Sequence, residues 1–184
     1  MNDGDQVVLL DEEGRAIGTA PKATVHDTET ALHLAFSCHV MNDAGEVLVT
    51  RRALSKVAWP GVWTNSFCGH PAPGEAMEDA VRRRAAYELG LEIDELELRL
   101  PDFRYRAVDA SGIVENEICP VFFARARHEP VPNPLEVVDV RWVDPLALGS
   151  ALSAAAWAFS PWLELQSEQL PLFGRDVLTG AATP

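Results

Sequence analysis

Residues 64–71, TNSFCGHP, place Cys68 and His70 two positions apart with Gly69 between them. A thiol in such a setting can be a metal ligand, a nucleophile or a proton donor, or simply a small buried residue. A second set lies in VENEI, where Glu115 and Glu117 alternate. On a strand they share a face about 6.5–7 Å apart, and like charges so placed repel unless a cation lies between them or one carboxyl keeps its proton. A solvated acidic edge is the plainer alternative, but Ile113, Val114, Ile118 and the PVFF run beside them point toward a core. His26, His33 and His70 form a third set. No H-x-x-x-H or C-x-x-C spacing links them, so spacing alone argues little for a metal. Combined with Glu115 and Glu117, three imidazoles make a donor set suited to a divalent first-row ion. The fourth set is cationic: Arg51, Arg52 and Lys56 in TRRALSKVAWPGVW read as solubilising charge or, with Lys22 and Arg84, as a clamp able to hold a diphosphate.

The elements that must position these groups follow from periodicity. VVLL, DEEG and RAIGTA read as strand, turn and strand. In LHLAFSCHV, Leu32, Leu34, Phe36, Cys38 and Val40 alternate with His33, Ala35, Ser37 and His39, so His33 belongs to the face opposite the apolar set; NDAG turns the chain into EVLVT. GEAMEDAVRRRAAYELG predicts a helix from about Glu75 that stops at Gly90. Glu78 with Arg82 and Asp79 with Arg83 are i,i+4 pairs in the favourable orientation, expected as surface salt bridges. Met77, Ala80, Val81, Arg84 and Glu88 share one stripe, which places Arg84 and Glu88 at the end of an inward face as an internal ion pair or part of a site. GIVENEICPVFFARA and VVDVRWVD read as further strands, and SPWLELQSEQL as a helix capped by Ser160 with Pro161 at its first position. Residues 174–184 are expected to be a loose tail.

Bulk composition narrows the function classes. With 184 residues, 47% hydrophobic and 23% charged, the chain is expected to be one α/β domain spanning residues 1–184. A net charge of −13 disfavours nucleic acid and anionic membrane as partners, so positive charge for an anionic ligand must be gathered locally. No apolar run approaches membrane-spanning length and the N-terminal residues lack a basic signal-peptide start, so a cytoplasmic protein is expected. Three cysteines, Cys38, Cys68 and Cys119, argue against a disulfide framework and leave room for one reactive thiol. Five tryptophans could fill a core without a partner, and a monomer is expected.

LHLAFS, VLVTRRALSKVAWPGVWTNSFCGHP, PDFRYRA, GIVENEICPVF and WAFSPW together resemble the bacterial type I isopentenyl-diphosphate isomerases, over about residues 6–170. The resemblance implies a Nudix-like α/β fold, a mixed β-sheet sandwiched between helices. Against the Nudix pattern G-x5-E-x7-R-E-x-x-E-E-x-G, Gly69, Glu75, Arg83, Glu88 and Gly90 fit, while Arg84 and Tyr87 take the places of two carboxylates. Their loss removes much of the magnesium cluster that such hydrolases use to activate water. Carried over by residue, the resemblance implies that His26, His33, His70, Glu115 and Glu117 bind one divalent ion, Mn2+ or Zn2+. It implies that Glu88 and the Cys68 carbonyl hold Mg2+ arriving with the small-molecule diphosphate substrate, and that Lys22, Arg52, Lys56 and Arg84 contact the diphosphate. Cys68 and Glu117 match the proton-transfer pair, Tyr105 assists Glu117, and Trp162 covers the hydrocarbon. Moving the double bond of isopentenyl diphosphate to give dimethylallyl diphosphate needs one proton added and another removed, so two acid/base groups must flank one flat skeleton. The competing readings are a Nudix-type diphosphate hydrolase and a noncatalytic binder of metal or diphosphate; the latter has no need of a proton donor.

Overall fold

The computed structural model describes residues 6–174. The strands are β1 Gln6–Leu10, β2 Ala16–Pro21, β3 His33–Leu34, β4 Phe36–Met41, β5 Val47–Arg52, β6 Trp63–Thr64, β7 Phe67–Gly69, β8 Ile93–Leu100, β9 Arg104–Val108, β10 Val114–Ile118, β11 Val121–Ala126 and β12 Val137–Val143. The α-helices are α1 Met77–Leu89, α2 Pro145–Ala155 and α3 Pro161–Gln169. Among the described residues the strands form two sheets. The smaller runs β2-β1-β3-β10-β9, and the larger runs β12-β5-β4-β11-β8 with β6 paired to β5 and β7 to β4.

The expected single strand through LHLAFSCHV is divided at Ala35, and GIVENEICPVFFARA is divided at Cys119 and Pro120. These two breaks are one feature. β3 lies parallel to β10 in the smaller sheet and β4 parallel to β11 in the larger, with Glu117 opposite His33 and Val121 opposite Ser37. The Ala35 N–H donates to the Ile118 carbonyl at 2.9 Å and the Ser37 N–H to the Pro120 carbonyl at 3.0 Å, so the two chains stay paired as they cross between sheets. Pro120 has no N–H to give, which ends the ladder of β10 there.

The larger sheet lies between helices, as the α/β expectation requires. Phe36, Cys38, Val40, Leu48, Phe122 and Ala124 pack with Ala80, Val81, Ala85 and Leu89 of α1. On the other face Val47, Val49, Val121 and Phe123 pack with Leu148 and Leu152 of α2 and Trp162 and Leu163 of α3. Each fully buried large side chain contributes roughly 1.5–3 kcal/mol. The alternation in β4 holds, but its second face is not open to water: Ala35, Ser37 and His39 are as buried as Phe36 and Cys38.

Helix α1 begins two residues later than Glu75 because Glu75 works ahead of it, accepting the Ala72 N–H at 2.8 Å and both ends of the Arg83 guanidinium at 2.7 Å. Arg82 donates to the Ile93 carbonyl at 2.5 Å. These arginines therefore brace the surroundings of the helix, beyond the i,i+4 spacing noted in the sequence. Gly90 ends it in the left-handed region, φ 60°, donating its N–H to the last carbonyls. Helix α3 starts as expected, with the Ser160 hydroxyl accepting the Leu163 N–H at 3.4 Å and Pro161 at its first turn. Five elements have no counterpart in the sequence pattern: β6, β7, β8, β9 and α2. Apart from Gly174, the expected tail lies outside the described residues. No helix among those described is long and apolar enough to cross a membrane.

Candidate active site

Sheet register aligns the first half of the site. In the smaller sheet His33, Glu117 and Tyr105 stand opposite one another on β3, β10 and β9. The Tyr105 hydroxyl donates to Glu117 Oε2 at 2.9 Å. Burial, and then the Glu117 charge, push the Tyr105 phenol well above its ordinary value, so it remains a donor. Glu115, one strand repeat before Glu117 and on the same face, is also buried. Burial and then the charge of Glu117 raise its carboxyl.

The three histidines converge here from separate segments: His26 from the loop after β2, His33 from β3, and His70 from the residue after β7. Together with Glu117 they each bring one ligand atom within 4.8 Å of the others. His70 Nε2 lies 3.1 Å and His33 Nε2 3.4 Å from Glu117 Oε1, and the two ring nitrogens are 3.2 Å apart. The His33 Nδ1–H donates to the Ala31 carbonyl at 2.9 Å, which directs the Nε2 lone pair at this cluster. His26 Nε2 and Glu115 Oε2 approach to 3.0 Å without hydrogen-bond alignment, and neither has another partner. Glu115 therefore joins the group through His26. Lone pairs crowded in this way, with buried polar atoms left unpaired, fit a divalent cation held by nitrogen and oxygen donors. Burial drives His70 down to about 3, so it is a neutral imidazole able to ligate. Burial would raise Glu117, but the close His33 and His70 rings outweigh it and hold the carboxylate ionised, well below its usual range.

The other half of the site belongs to the larger sheet. Cys68 on β7 faces Ser37 on β4, and its Sγ lies 3.2 Å from Ser37 Oγ and 3.3 Å from Asn65 Oδ1. Burial pushes the thiol up to about 12, against the hydrogen bond from Ser37, so the resting sulfur carries its proton. Asn65 Oδ1 also accepts the indole N–H of Trp162 at 2.9 Å. The Trp162 ring is 5.7 Å from the ring of Tyr105 and edge-on to Trp59 at 5.5 Å. A buried aromatic wall thus runs from the Cys68 side to the Tyr105–Glu117 side.

Cationic groups border this wall. Arg52 sits with its guanidinium 5.3 Å over the Trp162 ring, held by the Ala58 carbonyl at 2.8 Å. Lys56 is paired with Glu136, and Arg84 with Glu88 on the next turn of α1 and with Glu136 at 3.6 Å. Lys22 acts from just beyond β2, its charge helping to depress both His70 and Glu136. Arg84 also lies 5.0 Å over the Tyr87 ring, so the two residues that replace Nudix carboxylates stack on each other. Gly69 makes room for Arg84, since a Cβ there would meet Arg84 Cγ at 2.7 Å and Phe36 Cζ at 2.9 Å.

The structure gathers His26, His33, His70 and Glu117, with Glu115 beside His26, and links Lys56, Glu136, Arg84 and Glu88 in one run of ion pairs; Ser37, Asn65, Gln166 and Glu136 are four neighbours of these groups that the sequence did not single out. Asn65 lies inside the quoted TNSFCGHP stretch, and Glu136 carried no signal, since its partners Lys56 and Arg84 are remote in sequence. Cys38, Cys68 and Cys119 are all free thiols.

This fold and site define the class. A NUDIX domain model matches residues 31–165. A crystal structure from Deinococcus radiodurans superimposes with a TM-score of 0.70 at 23% identity, covering 90% of this chain and 98% of that one. A MutT protein from Methanosarcina mazei gives 0.58 at 17% identity, over 78% and 94%. At the level of the particular protein, the isopentenyl-diphosphate Delta-isomerase of Agromyces mediolanus is 67% identical over 91% of this chain and 82% of its own length. The proteins of the same name from Paenarthrobacter aurescens and Klebsiella pneumoniae are 59% and 54% identical, over 92% and 90% of both chains respectively. The chain belongs to the isopentenyl-diphosphate Delta-isomerase family within the NUDIX fold.

Proposed function

We propose that this protein converts isopentenyl diphosphate to dimethylallyl diphosphate, an isomerisation in which one carbon gains a proton and another loses one. The observation that carries the reading is the pair of acid/base groups joined by one aromatic wall: Cys68 and Trp162 share Asn65, and the Tyr105 ring beside Trp162 carries the hydroxyl bound to Glu117. The protonated Cys68 thiol and the ionised Glu117 carboxylate are complementary, one able to give a proton and the other to take it. Tyr105 steadies the Glu117 oxygen that does not face the histidines. The Trp162 indole covers the hydrocarbon, stabilising positive charge on carbon by roughly 0.5–2 kcal/mol while excluding the water that would trap it as an alcohol.

Lys22, Arg52, Lys56 and Arg84 hold the diphosphate. His26, His33, His70, Glu115 and Glu117 would hold Mn2+ or Zn2+, and Glu88 with the Cys68 carbonyl would hold the Mg2+ that accompanies the substrate. When bound, such ions supply positive charge that neutralises the diphosphate and fixes the carboxylate. On this reading the chain is one domain acting as a monomer, with Trp162 and the phenylalanines Phe36, Phe67, Phe103 and Phe173 buried in its own core. A reducing cytoplasm suits it, because Cys68 and Cys119 both border the Ser37 hydroxyl and both are thiols.

A diphosphate hydrolase is the lesser reading, since Arg84 and Tyr87 stand stacked where the hydrolytic pattern has carboxylates. The experiment is proton and phosphorus NMR of isopentenyl diphosphate in D2O with protein, Mg2+ and Mn2+. Dimethylallyl diphosphate with deuterium in its methyl group and no released phosphate is expected. Released phosphate with an unmoved double bond would establish hydrolysis instead.

A further inference from the structure

Ser37 is the hub of a buried hydrogen-bonded line that the chemistry above does not use. Behind it, Gln166 of α3 places Nε2 at 2.9 Å from Ser37 Oγ, and Gln166 Oε1 lies 2.9 Å from His39 Nε2. Ser37, His39 and Gln166 are all fully excluded from solvent. In front of it, the hydroxyl meets Cys68 Sγ at 3.2 Å and Cys119 Sγ at 3.5 Å.

The direction of each proton follows from what these groups can donate. An amide oxygen only accepts, so His39 carries its proton on Nε2, and His39 Nδ1, which is buried without a partner, is a bare lone pair. The reverse arrangement would strand an N–H at Nδ1, and buried orphan donors are the rarer and costlier kind. With its oxygen held by His39, Gln166 turns its NH2 group to Ser37 and donates to Oγ. The single Ser37 proton then goes forward to sulfur. Cys68 receives it, being the nearer sulfur and the residue directly opposite Ser37 in the β4–β7 pairing. Asn65 Oδ1, the other neighbour of Cys68, accepts the Trp162 indole at 2.9 Å, the Thr64 hydroxyl at 2.9 Å and, more weakly, the Cys68 S–H at 3.3 Å, so the sulfur is left to accept from Ser37.

We propose that Ser37, oriented by Gln166 and His39, is a positioning residue that donates a hydrogen bond to the Cys68 sulfur and, with Asn65 Oδ1 accepting the S–H, holds the thiol in place. The inference rests on the reading of Cys68 as an acid/base group. Its three supporting residues come from β4 and α3, which places the control of the thiol in the helix layer that carries Trp162.

Threonine and valine at position 37 have nearly the same shape and differ by the hydroxyl, so steady-state kinetics of Ser37→Thr and Ser37→Val with isopentenyl diphosphate separate the hydrogen bond from packing. We expect the valine variant to have kcat about 10- to 100-fold below the threonine variant, with KM within about threefold. Gln166→Met is expected to lower kcat in the same manner with the Ser37 side chain intact. Equal kcat in the threonine and valine variants, or a loss confined to KM, would overturn the proposal. Cys68→Ala is measured alongside: near-full turnover there would refute the role of Cys68 itself, whereas loss of turnover there with equal Ser37 variants refutes only the positioning role.

Discussion

His39 makes the folded protein sensitive to acid in a way that can be isolated. It is fully buried on β4, stacked on Phe123 with ring centroids 5.0 Å apart, and bonded to Gln166. Burial, only partly offset by the Gln166 hydrogen bond, lowers its pKa from 6.5 to about 4. Between those two values the unfolded chain binds a proton that the folded chain refuses. Stability therefore falls as pH drops through 6.5 and the loss levels off below about 4. Integrating that difference, His39 costs roughly 2 kcal/mol between pH 7 and pH 5. His39→Gln keeps a donor for the Gln166 oxygen and cannot titrate. Urea unfolding of both proteins, followed by tryptophan fluorescence at the two pH values with the same metal present, gives four stabilities. Contributions from other groups, including the neighbouring histidine cluster, cancel in the difference of differences. The wild-type chain should lose roughly 2 kcal/mol more than the variant over this interval. Equal losses in the two would refute the reasoning, because burial of a neutral imidazole would then not be the source of acid sensitivity.

Three further outcomes follow from the site. His33→Ala should lower the divalent metal retained per chain after gel filtration, measured by atomic absorption, while Cys68→Ala retains it; full retention in the His33 variant would sink the histidine site. Glu136→Gln should tighten binding of inorganic pyrophosphate by about fivefold in calorimetry, since Lys56 and Arg84 lose the carboxylate that now occupies them. Weaker binding would mean instead that Glu136 arranges those cations for the anion. Gly69→Ala should destabilise by about 1–3 kcal/mol, because its Cβ would stand 2.7 Å from Arg84 Cγ; an unchanged melting temperature would show that this packing gives way freely.

Much of this was legible because it is local. Alternation in VENEI put Glu115 and Glu117 on one face, the α1 stripe turned Arg84 and Glu88 inward, Gly90 ended that helix, and Ser160 with Pro161 began α3. Strand β8 escaped because IDELELRL buries only Ile93 and partly covers Asp94, Leu96 and Leu100, and the alternation of Leu96, Leu98 and Leu100 with Glu97 and Arg99 is interrupted ahead of it by a backbone irregularity where Glu95 takes φ 48°. Helix α2 escaped although Asp144 caps it at Ala147 and Pro145 occupies its first turn, since apolar and small residues run around the whole of PLALGSALSAA and leave no stripe.

By itself, then, the sequence determined which groups were available, which face of each element they shared, and through resemblance which chemistry they suit. Tertiary structure decided which of them meet. Periodicity describes one segment at a time, and a face that alternates is silent about what will cover it. His26, His33, His70 and Glu117 become one cluster only because β3 pairs with β10 and both cross between sheets in step. Ser37 and His39 are polar residues on a face that pattern alone would give to water; α3, more than 120 residues later, covers that face and supplies the glutamine that bonds to both. Contacts of that range are set by the pairing of distant strands and the packing of helices on them, and no local spacing records them.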